Sequence, residues 1–172
     1  RLSSDCGLWL GPRGGYNYFI KFARFLEENG NGKLNRNSSD ICTNHKVYCE
    51  KLKTFFLDCQ QRFDMNYWKL DGFLVRPPQP DPQGNYISGG YQGMCYVTEH
   101  WERWIDIFQA MRDQRGAKRN DLWINLTCYV NPSPWFLQWG NSVWMQNSQD
   151  IGRLNVKRLS QLDQLLSYRD DR

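Results

Sequence analysis

The segment YWKLDGF, residues 67–73, places two ionisable side chains in an apolar, strand-like setting. Its aromatic residues and leucine favour a strand, because such side chains suit a pleated and half-buried surface. Side chains two residues apart in a strand point to the same face, so we expect Lys69 and Asp71 to lie together. A carboxylate kept ionised by a neighbouring ammonium group can act as a nucleophile or can stabilise a cation. A local ion pair or a turn cap before Gly72 is the structural alternative.

A second carboxylate, Asp150, follows the strand-like segment VWMQN by a few residues. In β/α folds the ligands and catalytic groups lie beyond the carboxyl ends of the strands, so Asp71 and Asp150 are expected at one rim. Two such carboxylates among Trp and Tyr residues are what a glycosidase needs, one as nucleophile and one as general acid/base. A turn residue is the alternative interpretation of Asp150.

The hydrophobic pattern predicts strands that alternate with helices along the chain. Such an order is typical of parallel β/α units, and apolar strands without alternation are expected when both faces of the sheet are covered. Residues 72–96, rich in Gly and Pro, are predicted to form a long loop, which is either functional or a simple insertion. The predicted strands are 6–11, 66–71, 122–130 and 142–147; the helices are 18–30, 45–63, 96–116 (with Thr98 as N-cap) and 155–169; the long loop is 72–96.

The composition argues against several classes of protein. The 172 residues carry a net charge of +4, and basic and acidic residues are interleaved, so no nucleic-acid partner is expected. The sequence has no long apolar stretch, so no membrane partner is expected. Six Cys without a CxxC pair, and only two His, predict no metal and no cofactor. Free thiols favour a reducing, cytoplasmic location. The eight Trp suit either sugar binding or a hydrophobic core rich in large aromatic side chains.

The chain begins at Arg1, without Met, directly before a strand-like segment. We therefore expect residues 1–172 to be a piece of a longer protein.

Four segments, taken in order, resemble the catalytic barrel of the clan D retaining α-glycosidases, glycoside hydrolase families 27 and 36. The segment YWKLDGF is similar to their fourth strand, which often ends Lys-Phe-Asp-Gly. The segment VWMQNSQDIG resembles their sixth strand, which precedes the acid/base. The segment GLWLGPRGG (7–15) resembles their third strand. The segment LWINLTCYVNPSPW (122–135) resembles their fifth strand.

The resemblance implies an α/β fold that is part of a (β/α)8 TIM-type barrel, with about four parallel β/α units corresponding to strands 3–6. It implies cleavage of terminal α-linked galactose-type sugars by retaining double displacement. The remaining barrel segments of the parent chain would be the partner of this piece. The resemblance assigns Asp71 as nucleophile and Asp150 as acid/base, and it implies substrate contacts for Lys69, Trp9, Trp144, Cys128 and Tyr129.

Two other functions stay open at this point. One is a non-catalytic carbohydrate-binding or structural barrel fragment that keeps the aromatic residues. The other is a different α/β enzyme in which the Lys-x-Asp pair acts on another substrate.

Overall fold

A computed structural model describes residues 5–14, 19–35, 39–72, 91–127 and 134–143. The last predicted helix, residues 155–169, lies outside these residues. The strands are β1 (Cys6–Leu10), β2 (Leu34–Asn35), β3 (Asp40–Ile41), β4 (Met65–Asp71), β5 (Trp123–Thr127) and β6 (Ser142–Val143); the helices are α1 (Phe19–Glu28), α2 (Lys46–Phe63), α3 (Tyr91–Gly116) and a 3₁₀ helix (Pro134–Gln138).

The main sheet is parallel, with the strand order β1-β4-β5-β6. Helices α1 and α2 connect β1 to β4, α3 connects β4 to β5, and the 3₁₀ helix lies between β5 and β6. This arrangement confirms the predicted mixed α/β class with a parallel sheet. Closure of the sheet into a TIM-type barrel stays a prediction.

Buried and more exposed residues alternate in β4 and along most of β5, so the prediction of strands without alternation is wrong for these two strands. Trp68, Leu70, Ile124 and Leu126 are fully buried, and the ring of Phe56 from α2 packs edge-on against Trp68 with centroids 4.8 Å apart. The opposite side, called the mixed face below, carries aromatic and polar side chains: Trp9, Tyr67, Lys69, Asp71, Trp123, Asn125, Thr127 and Ser142.

The mixed face exposes three large aromatic side chains. Trp9 is 43% exposed, Tyr67 39% and Trp123 47%. The prediction failed because aromatic residues count as apolar in a sequence pattern, whether or not they are buried. Tyr67 in β4 and Trp123 in β5 alternate with buried positions and give these two strands a period of two.

Helix α3 begins at Tyr91, five residues before the predicted start at residue 96. Thr98 is therefore inside the helix and is not its N-cap, and residues 91–96 of the predicted 72–96 loop are helical. Gly93, which suggested a loop, lies in the first turn of the helix. A single glycine disfavours a helix by only about 1 kcal/mol, which the remaining turns can outweigh.

The small β2–β3 hairpin falls in a region where the pattern predicted only loop. Its strands have two residues each, too short to produce a periodic signal. The hairpin carries Asp40, which is fully buried and pairs with Arg13 from the loop after β1. The hydroxyl of Tyr48 on α2 donates to the carbonyl of Pro12 in the same loop. The loop after β1 is thus anchored at the carboxyl edge of the sheet.

The amino edge of the sheet is held by an ion cluster around Arg115, at the end of α3. The Arg115 side chain is 2% exposed. It donates to Asp121, just before β5, at 2.5 Å and 3.0 Å, and to Asp64, just before β4, at 2.5 Å. Hydrogen bonds from Lys118 and from Arg115 hold the pKa of Asp64 down to about 2. The pKa of Asp121 is also lowered, chiefly by the hydrogen bond from Arg115.

Gly7 is required where β1 meets the mixed face. It pairs with Tyr67, and a Cβ at this position would lie 2.7 Å from Cδ1 of the Tyr67 ring. We expect Gly7→Ala to lower the free energy of unfolding by about 1–3 kcal/mol, because the ring must move. Urea unfolding measures this change. Gly116→Ala is the matched control, since a Cβ at Gly116 would have its nearest neighbouring atom 4.0 Å away. An equal loss of unfolding free energy in both variants would contradict the requirement for glycine at position 7.

Candidate functional site

Lys69 and Asp71 lie on the mixed face, as the period-two argument predicts. Lys69 pairs with Trp9 of β1 on one side and with Asn125 of β5 on the other. Both side chains are of intermediate exposure, whereas Trp68 and Leu70 between them are fully buried. A carboxylate, an ammonium group and an indole ring therefore share one surface of the sheet.

Asp71 is the last residue of β4, and the chain turns directly after it. Gly72 has φ +69°, a left-handed conformation that favours glycine. The Gly72 amide donates to the carbonyl of Thr127 at 2.7 Å, which ties the end of β4 to the end of β5. The charged pair precedes a glycine because the strand ends there and the backbone must leave the sheet. Asp71 is thereby placed at the carboxyl edge, where β/α folds bind ligands.

A row of polar groups extends from Lys69 towards β6. Asn125 donates through Nδ2 to Oγ of Ser142 at 2.7 Å. The indole Nε1 of Trp123 donates to the same oxygen at 3.2 Å. With both of these bonds accepted by Oγ, the Ser142 hydroxyl retains its proton for donation. The row fixes the orientation of the Asn125 amide beside Lys69.

Asn125, Thr127 and Ser142 were missed as site residues by the sequence reasoning. The signal that identifies the first two is the alternation in WINLT, where Trp123, Asn125 and Thr127 lie on one face and Ile124 and Leu126 on the other. Ser142 has no comparable signal, because its two-residue strand is too short to show a period.

Four residues that the sequence analysis assigned to the site lie outside the described residues: Cys128, Tyr129, Trp144 and Asp150. Their roles, and the distance between Asp71 and Asp150, stay predictions. Trp9, Lys69 and Asp71 are the three assigned residues that the structure brings together.

The arrangement suits a polar ligand with one flat apolar face. The indole of Trp9 offers a stacking surface beside Lys69, while the carboxylate of Asp71 lies one step further towards the carboxyl edge. Within residues 5–14, 19–35, 39–72, 91–127 and 134–143 there is no cluster of three His, Cys, Asp or Glu side chains that would hold a metal ion. In the same part of the chain, none of the helices has the length and apolar character needed to cross a bilayer.

Comparisons with protein-family models, with curated protein sequences and with solved structures return no match for this chain.

Proposed function

We propose that the protein is a retaining glycoside hydrolase that cleaves terminal α-linked galactose-type sugars. One observation carries the proposal. Asp71 ends a central strand of a parallel sheet, on the same face as Lys69 and beside an exposed Trp9. A carboxylate at the carboxyl edge, next to a hydrogen-bond donor and an aromatic surface, meets the needs of a glycosyl-transfer site. The resemblance of four segments to clan D enzymes supplies the substrate class.

The proposed reaction has two displacements. Asp71 attacks the anomeric carbon and forms a glycosyl ester, while the carboxylic acid of Asp150 gives its proton to the departing oxygen. Asp150, now a carboxylate, then takes a proton from water. That water attacks the anomeric carbon, the ester bond to Asp71 breaks, and the sugar leaves with its original configuration. No metal or cofactor enters this scheme.

Lys69 and Trp9 would bind the sugar that Asp71 attacks. The Lys69 ammonium can donate to sugar hydroxyl groups, and the Trp9 indole can pack against the apolar face of the ring. Further contacts are proposed for Trp144, Cys128 and Tyr129, by resemblance alone.

We propose that residues 1–172 are part of a (β/α)8 barrel and that the mixed face becomes its interior. The exposed indoles of Trp9 and Trp123 support this idea, because such apolar surface is usually covered in a complete fold. The remaining barrel segments of a longer parent chain would pair with the outer strands, β1 and β6.

A cytoplasmic location is proposed as well. Cys42, Cys49 and Cys59 are buried thiols that form no disulfide. Burial raises the pKa of the Cys49 thiol to about 12, which keeps the group protonated and unreactive. Such thiols suit a reducing compartment.

The test uses the full-length protein that contains this sequence. An aryl α-galactoside is supplied, and proton NMR follows which anomer is released first. Release of the α-anomer supports the proposal. Release of the β-anomer shows inversion and contradicts it.

The same assay tests the second candidate function, a non-catalytic carbohydrate-binding module, which the exposed Trp9 and Trp123 favour. A binding module holds galactosides without turnover, and its affinity survives Asp150→Gly. A retaining enzyme with this substitution is rescued by azide on an activated substrate and yields the α-galactosyl azide, since azide attacks the glycosyl ester in place of water.

A further inference from the structure

Thr127 is the residue that pairs with Asp71 across the sheet. The two residues occupy paired positions at the ends of β5 and β4, on the mixed face. Thr127 is 8% exposed, and its hydroxyl oxygen is buried without a hydrogen-bond partner. Oδ1 of Asp71 is buried as well. A buried hydroxyl without a partner is destabilising, so its presence here calls for a physical reason.

The spacing of the strands allows these two groups to meet. Neighbouring strands lie about 4.8 Å apart, so the side chains of paired residues leave the sheet at about that separation. The structure shows no hydrogen bond from the Thr127 hydroxyl to Asp71, so the proposed contact requires rotation about the Cα–Cβ bond of Thr127 to another staggered position. The bond between the Gly72 amide and the Thr127 carbonyl, at 2.7 Å, keeps the two strand ends in register while this happens.

We propose that Thr127 is a positioning residue for Asp71: its hydroxyl donates to the Asp71 carboxylate and holds it in the orientation for attack on the anomeric carbon. The catalytic meaning of this contact rests on the proposed function, whereas the contact itself does not. An O–H donor to an ionised carboxylate forms a short, strong hydrogen bond. It fixes one oxygen of Asp71 and leaves the other for the substrate.

A purely structural role for Thr127 makes a different prediction. Threonine is frequent in strands because its branched side chain packs well on a pleated surface. Valine does this equally well and has nearly the same shape. Serine keeps the hydroxyl and loses the methyl group. Thr127→Val and Thr127→Ser therefore separate the hydroxyl from the packing.

The first experiment measures covalent labelling of the full-length protein by an activated 2-deoxy-2-fluoro-galactosyl fluoride, with intact-mass detection. We expect Thr127→Val to label at least about 10-fold more slowly, because a hydrogen bond to a charged group is lost. The dissociation constant for reversible binding should stay unchanged. Thr127→Ser should label within about 3-fold of the parent, since its hydroxyl can serve. Labelling of Thr127→Val at the parent rate, or of Thr127→Ser as slowly as Thr127→Val, would overturn the proposal.

The second experiment does not depend on activity. Urea unfolding is measured for Thr127→Val, for Asp71→Ala and for the double variant. A direct contact predicts non-additive effects, with a coupling of about 5-fold or more in the unfolding equilibrium constant. Additive effects would overturn the contact. Absence of labelling in the parent protein counts against the proposed function alone, and this cycle then still decides whether Thr127 contacts Asp71.

Discussion

Replacing Asp71 by Asn in the full-length protein is expected to reduce hydrolysis of an aryl α-galactoside by about 10⁴-fold or more. The amide is nearly the same size as the carboxylate, but it carries no negative charge and does not form the glycosyl ester. Because Asp71 ends β4 at the edge of the sheet, the substitution should leave the fold intact. Initial rates and a thermal unfolding curve measure both effects.

Two comparisons make this result specific. Asp113→Asn changes a carboxylate on α3 that accepts a hydrogen bond from Gln109, and it should keep the parent activity. Asp71→Gly with added azide should give the β-galactosyl azide, because azide then attacks from the side that the carboxylate occupied. Near-normal hydrolysis by Asp71→Asn would contradict the role of Asp71, and so would azide rescue with retained configuration.

Replacing Arg115 by Met is expected to lower the free energy of unfolding by about 1–3 kcal/mol, because hydrogen bonds to charged groups are lost. Methionine preserves most of the volume and removes the charge. The carboxylates of Asp64 and Asp121 then lose the buried cation that bridges them at 2.5 Å each. Urea unfolding at pH 7 measures the change.

Arg119→Met is the matched control for this substitution. The Arg119 side chain is 53% exposed and reaches Asp64 at 3.4 Å. Its removal should cost less than about 1 kcal/mol, as is usual for exposed pairs. An equal loss in both variants would show that Arg115 has no special role at the amino edge.

The same cluster predicts how stability changes with acid. The folded protein holds the pKa of Asp64 at about 2 and lowers that of Asp121. Groups of this kind stabilise the fold above their unfolded pKa, near 4, and the stability is lost as the pH falls through the folded value. We expect the unfolding free energy to fall between about pH 4 and pH 2, and to fall less steeply in Arg115→Met. If the unfolding free energy fell equally steeply with pH in both proteins, the stabilising role of the Arg115 cluster would be contradicted.

The long elements of the fold follow closely from the sequence. Periodic apolar residues identify α2 and most of α3, because a helix of several turns repeats its signal. The period of two within YWKLDGF also places Lys69 and Asp71 on one face, and β4 confirms this placement.

The parts that the sequence missed depend on tertiary contacts. The β2–β3 hairpin is held by partners distant in the chain, such as Arg13 for Asp40, and no local pattern reports them. The row from Lys69 through Asn125 to Ser142 depends on the register between separate strands. A sequence gives the period within each strand but not the offset between strands.

The most direct test of Asp71 as the nucleophile is to trap the glycosyl-enzyme and locate the label. The full-length protein is incubated with the fluorinated galactosyl fluoride, digested, and analysed by tandem mass spectrometry. We expect one sugar per chain, attached as an ester to Asp71. A label on any other carboxylate would contradict it, as would full turnover of galactosides by a protein that forms no covalent adduct.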